Sequence, residues 1–198
     1  GQEQLYQLQV PAGETLEVTL DSDQDGAANE LFIRYAGLPD SIRYDAAYEG
    51  HLWADQTVRV PTTQGGTYYV LVRSAGSAGA QGIGIKARIL PFGVTSVKAD
   101  SGGDSRYVTL RIEGAKFDPA ATVKLVRPQL AEHVPVNYKR ISATEMVAVF
   151  DLREAVHGLY DVQVTNPNGQ VATLPYRYLI EEALPLDLTV GIGGPSHL

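Results

Sequence analysis

The chain is predicted to be all-β, built as two antiparallel β-sandwiches in tandem. Three observations predict this. Apolar residues recur with a period of two in a long series of short runs rich in β-branched and aromatic side chains. The segments between the runs are made of Pro, Gly, Asn, Asp and Ser, the residues of turns. No crossover helix is written between the strands, so each sheet has one apolar face that only a second sheet can cover.

In the first half the strands are "LYQLQV", "TLEVTL", "ELFIRY", "TVRVP", "TYYVLVR" and "IGIKARI". They are separated by PAG (11–13), the acidic stretch "DSDQDGAANE" (21–30), GLPD (37–40), TQGG (63–66) and the small-residue tract AGSAGAQG (75–82). After "ILPFGV" (89–94) the pattern restarts with "YVTLRIEG", "TVKLVRP", "VPVNYKRI", "EMVAVFDL", "LYDVQVTN" and "VATLPYRYLI", spaced by GAKFDPA, ISAT, REAVHG and NPNG. The boundary is placed near Pro91, giving modules at 1–90 and 91–181. Six basic and eleven acidic residues lie before it, ten and twelve from it onward, so the restart of the strand pattern carries the division, not the charge. Residues 182–198 hold one more strand-like run, "LDLTV", and a glycine-rich end, expected to be a linker or the start of a further module.

With 198 residues, 44% of them hydrophobic, the chain can bury one large core or two smaller ones. Lys and Arg total 16 against 23 Asp and Glu, a net charge of −7, which leaves no basic surface for a nucleic acid or an anionic membrane. The absence of cysteine removes disulfides, thiol catalysis and cysteine-held zinc. No apolar run is long enough to span a bilayer, and the opening GQEQLYQ lacks the pattern of a signal peptide, so the chain reads as a piece of something longer.

Two resemblances follow from particular residues. The stretch "GVTSVKADSGG…VTLRIEGAKFDPAATVKLV" with "HGLYDVQVTNPNGQVATLPYRYLI" resembles the IPT/TIG family of immunoglobulin-like domains over 92–181. Gly114 and Phe117 fit that family's Gly-x-x-Phe; Gly158, Tyr160, Val162, Val164, Asn168 and Gly169 fit its late strand and turn. Ala99 and Asp100 depart from it where a proline is common. The first half, over about 4–90, resembles the bacterial pre-peptidase C-terminal domain through "QLYQLQVPAGETLEVTLDS", "NELFIRYAGLP" and "VRVPTTQGGTYYVLVRS". These resemblances imply a jelly-roll-like first sandwich, an immunoglobulin-like second one, and a secreted or cell-surface bacterial protein, some of whose relatives bind calcium, collagen or other polymers.

Two segments are candidates for binding. Asp21, Asp23, Asp25 and Gly26 match the first half of an EF-hand loop, but Phe32 stands where the bidentate glutamate belongs and strands flank the loop; Asn29 or Glu30 would have to complete an irregular calcium cage. The alternative is the polar end of a hairpin. In "YAGLPDSIRYDAAYEGHLWADQ" (35–56), Tyr35, Tyr44, Tyr48 and Trp53 suit a stacking platform for sugar or peptide, with Asp45, Glu49 and Asp55 as acceptors, or else they cover an open edge of the sandwich. Gly66, Thr67, Tyr68 and Tyr69, and Gly158, Leu159 and Tyr160, suit turns entering central strands, the second a tyrosine corner.

Nothing else carries chemistry. His51, His133, His157 and His197 have no paired metal spacing, and neither a GxSxG elbow nor a phosphate-binding loop occurs; "GIGIK" (82–86) and "GIGGPS" (191–196) lack the strand-to-helix setting. No catalytic, cofactor-binding or metal residue is assigned and no cofactor is expected. The chain is expected to be a monomeric, non-catalytic module pair, spacer or adhesion surface, whose partners are its neighbouring domains and a polysaccharide or matrix protein. The alternative is a carbohydrate- or matrix-binding module beside a secreted hydrolase.

Overall fold

The computed structural model describes residues 2–74 and 82–184, and all the regular secondary structure among them is strand. The first seven strands are Glu3–Val10 (β1), Thr15–Ser22 (β2), Asn29–Tyr35 (β3), Ala46–Ala47 (β4), Gln56–Val60 (β5), Gly66–Ser74 (β6) and Ile83–Leu90 (β7). They form two antiparallel sheets, ordered β1-β6-β3-β4 and β5-β2-β7. The period of two explains the packing. In β2, Leu16, Val18 and Leu20 point inward and are buried, and they join Leu31, Ile33, Val58, Tyr68, Val70 and Val72 in one core. Burying each large aliphatic side chain there contributes roughly 1.5–3 kcal/mol before entropy is counted.

The second set is Gly93–Lys98 (β8), Ser101–Gly103 (β9), Tyr107–Ala115 (β10), Thr122–Arg127 (β11), Ala131–His133 (β12), Asn137–Ser142 (β13), Glu145–Asp151 (β14), Gly158–Thr165 (β15) and Val171–Glu181 (β16). Their sheets are β13-β14-β10-β8 and β12-β11-β15-β16-β9. Between them lies a second core containing Leu110, Ile112, Phe117, Leu125, Met146, Phe150, Tyr160 and Tyr178. No strand of one set pairs with a strand of the other.

Two expectations are corrected. The acidic stretch is not the end of a hairpin, because β2 and β3 belong to opposite sheets, and the loop is an arch that carries the chain across the sandwich. Alternation tells which side chains face inward but not which strand lies alongside. The second sandwich is also not wholly antiparallel, since β9 runs parallel to β16 with Ser101 opposite Leu179. The tripeptide Ser-Gly-Gly is too short to carry a period. The small-residue tract apart from Gly82, the run "LDLTV", "GIGGPS" and His197 lie outside the described residues.

The aromatic expectations in the strands hold. Tyr68 is buried and its hydroxyl accepts from the Gln64 N–H at 2.9 Å, while its neighbour Tyr69 is half-buried on the other face. Tyr160 is buried, and its hydroxyl donates to the Val156 carbonyl at 2.8 Å, the backbone bond of a tyrosine corner. NPNG does close a hairpin between β15 and β16, with Gly169 at φ +84°, where a side chain would be strained.

Candidate functional site

The arch between β2 and β3 does not gather its carboxylates. Asp21, Asp23 and Asp25 are exposed, and Glu30 turns to Arg73, 3.5 Å away. The arch is held by backbone and short polar bonds: Asp23 N–H to the Gly82 carbonyl at 3.0 Å and Ala27 N–H to the Gln24 carbonyl at 2.9 Å. Among the described residues no three His, Asp or Glu side chains are placed to hold one metal ion.

The segment 35–56 wraps the edge of β3, and β4 pairs there through Phe32 with Ala47 and Ile33 with Ala46. The four aromatic residues are not one platform. Tyr35, at the end of β3, packs on Tyr68 with ring centres 5.3 Å apart, and its hydroxyl donates to the Gly65 carbonyl at 3.0 Å. Tyr44 packs on Phe32, ring centres 5.6 Å apart, on the opposite face of β3 from Tyr35. With Tyr48 and Glu49 it lines a cavity of about 220 Å³, while Trp53, 58% exposed, borders a shallower hollow with Asp25 and Asp55. Two of the three expected acceptors are spent on backbone: Asp45 takes the Tyr35 N–H at 2.6 Å and Asp55 the Ser22 N–H at 2.9 Å. Edge cover therefore accounts for Tyr35 and Tyr48, and leaves Tyr44 and Trp53 open to solvent.

A latch that sequence reading missed closes this segment. Asn29, wholly buried at the start of β3, donates from Nδ2 to the Ala54 carbonyl at 2.8 Å. Gln56, 3% exposed at the start of β5, donates from Nε2 to the Asn29 carbonyl and to the Trp53 carbonyl, the latter at 3.2 Å. Asn29 Oδ1 and Gln56 Oε1 are buried with no partner, and both residues line the 220 Å³ cavity. Reversing either amide would set oxygen against a carbonyl oxygen, so the orientation follows from the bonds. A polar residue among strand residues was the only signal available in the sequence.

Several charged groups elsewhere are paired for structure. Glu17, almost wholly covered on the outer face of β2, bridges Arg59 and Arg88 at 2.8 and 2.6 Å. Burial alone would raise its carboxyl, but the hydrogen bonds and charges of the two guanidinium groups outweigh that and hold it below the usual carboxylate range. His157 Nε2 lies 2.7 Å from Asp104, whose other oxygen takes the Ala183 N–H at 3.0 Å, and the His157 hydrogen bond lowers the Asp104 pKa most. Among the described residues the carboxylates moved from their ordinary range are all moved downward: Glu17, Asp40, Asp104, Glu113 and Asp151, the last to about 2 beside Arg153. General acid–base work at neutral pH asks for the opposite direction. His51 stands edge-on to Trp53, and His133 packs on Tyr160 with its pKa lowered by burial.

Between the two sandwiches only Pro91 and Phe92 separate β7 from β8. A second contact lies beside this link. The Lys116 N–H donates to Thr15 Oγ1 at 3.2 Å, and its ammonium forms an ion pair with Glu14. Phe92 is anchored edge-on against Phe117, 6.5 Å between centres. An open polar cleft of about 400 Å³ remains between Thr57 and Arg59 on one side and Glu113, Thr144 and Glu145 on the other.

Comparison with known families finds that residues 2–74 match the bacterial pre-peptidase C-terminal domain. The match ends with β6, and β7 completes the second sheet of that sandwich through its pairing with β2. No curated protein matches the chain. No helix among the described residues is long and apolar enough to cross a membrane.

Proposed function

We propose that the chain, with a pre-peptidase C-terminal domain at residues 2–74, is a non-catalytic module pair of a large secreted or cell-surface bacterial protein. Its task is to hold neighbouring domains of the same polypeptide at a set distance and angle, as a monomeric semi-rigid spacer with an interaction surface. The resemblance of 92–181 to the IPT/TIG family belongs to this reading, as does the division near Pro91. The observation that carries it is the double attachment of the two sandwiches: a two-residue link containing a proline, with the Lys116 backbone and ammonium bound to Thr15 and Glu14 beside it. A proline fixes one backbone angle, and a second contact removes the swivel that a single short link leaves free.

Inserting four glycines after Pro91 tests this. Small-angle scattering of the parent chain should fit a narrow distribution of interdomain angles, and the insertion should broaden it. An equally broad distribution in both chains rejects the spacer. A second reading, a carbohydrate- or matrix-binding module, is favoured by one feature, the exposed Trp53 beside Asp25 and Asp55. Retention of the chain on an insoluble polysaccharide or collagen column, lost in Trp53→Ala, supports that reading, and equal elution of both proteins removes it.

A further inference from the structure

We propose that the cavity between β3 and the 41–56 segment receives the cationic side chain, arginine or lysine, of a protein partner. The argument begins with what the cavity offers. Asn29 and Gln56 both spend their NH2 groups on backbone carbonyls, leaving two buried carbonyl oxygens without a donor. A buried acceptor left unpaired costs free energy, which a donor recovers once the side chain, covered by its neighbours at rest, turns toward the cavity it lines. Glu30 and Glu49 add carboxylates to the lining, and no Lys or Arg lines it. Glu49 has no ion-pair partner among the described residues; Glu30 is only partly met by Arg73.

The walls agree with this charge. Phe32 and Tyr44 stand 5.6 Å apart and, with Tyr48, give aromatic faces to which a cation is attracted. At about 220 Å³ the cavity lies below the roughly 300–1,000 Å³ of sites for drug-sized ligands, so it admits one side chain and not a sugar chain. An anion would meet the carboxylates of Glu30 and Glu49 with no lysine or arginine to offset them. The first ninety residues carry six basic against eleven acidic groups, a field that draws cations toward this half.

This adds a recognition property to the interaction surface proposed above. It is read independently of the spacer, because interdomain scattering does not report on the cavity and amide spectra do not report on the interdomain angle. The experiment is a titration of the ¹⁵N-labelled chain with N-acetyl-arginine amide, following the side-chain NH2 signals of Asn29 and Gln56. Parallel titrations use the neutral citrulline analogue, methyl glucoside and calcium chloride. The expected result is a saturable shift with a Kd on the order of millimolar for arginine amide, about tenfold weaker for citrulline and for the chain with Glu49→Gln. Thermal unfolding of that variant should match the parent, since Glu49 is exposed. Absence of a saturable shift, equal affinity for citrulline, an unchanged affinity in Glu49→Gln, or saturation by methyl glucoside or calcium in place of arginine amide would each overturn the proposal.

Discussion

Glu17 is the residue whose role is furthest from its appearance in the sequence. An acidic side chain at an outward strand position reads as solvated, yet it is 2% exposed because Arg59 and Arg88 close over it from both neighbouring strands. Glu17→Ala is expected to cost about 1–3 kcal/mol by urea unfolding, at the lower end because Arg88 is more than half exposed. Its pKa is depressed on folding, so its stabilisation is fully present above the ordinary value of 4.5 and is lost as pH falls through the lower folded value. The parent and variant should therefore differ at pH 7 and converge in strong acid; a constant gap down to that pH would contradict the pairing. Gly114 is the complementary case. A Cβ there would collide with the Gly93 carbonyl and the Phe117 ring, so Gly114→Ala is expected to lose about 1–3 kcal/mol, read as a lowered melting temperature. This requirement was legible as Gly-x-x-Phe.

At the scale of elements, the arch and the edge segment act together. Asn29 ties β3 to Ala54, Gln56 ties β5 back to Asn29, and Asp55 takes the Ser22 N–H, so the chain from 45 to 56 is pinned at its far end by three short bonds. Asn29→Ala removes one of them and leaves the Ala54 carbonyl without its donor. Hydrogen exchange should quicken at Asp45 and Tyr48, whose amides bind the Ile33 and Leu31 carbonyls, and remain slow in β2. Equal acceleration in β2 would mean that the whole sandwich had loosened instead of the segment. The segment was legible as aromatic and loop-like, and its edge-covering role was among the readings available. That Tyr35 packs on Tyr68 while Tyr44 and Tyr48 line a cavity against Phe32, on the other face of β3, was not, because sequence proximity sets no direction for a side chain on a folded-back loop.

For the whole molecule, the relation between the sandwiches rests on few atoms. The ion pair of Lys116 and Glu14 is partly exposed, so Lys116→Ala is expected to change unfolding by no more than about 1 kcal/mol. Interdomain scattering should respond more strongly, with a longer maximum dimension or a wider angular distribution, because the contact restrains orientation and contributes little to either core. Unchanged scattering would place the restraint wholly in Pro91 and Phe92. Within the second sandwich the Asp104 and His157 pair ties the chain down where it leaves β16, with Asp104 taking the Ala183 N–H beside the loop before β15.

The sequence by itself determined the class of fold, the location of the main strands, that one of Tyr68 and Tyr69 faces the core, and the corner tyrosine Tyr160. Each of these depends on a period of two, on turn residues or on a short local motif, and such signals act between neighbours in the chain. Tertiary structure alone decided that the acidic stretch crosses between sheets, that β9 lies parallel to β16, that Glu17 sits between two arginines, and that Asn29 and Gln56, each with a buried oxygen lacking a donor, line one cavity with Tyr44 and Tyr48. These depend on which strand lies beside which: β1 pairs with β6, and Glu3 faces Arg73 across seventy positions of chain. Alternation is the same whatever the neighbour, so the partner is chosen only when both cores close at once.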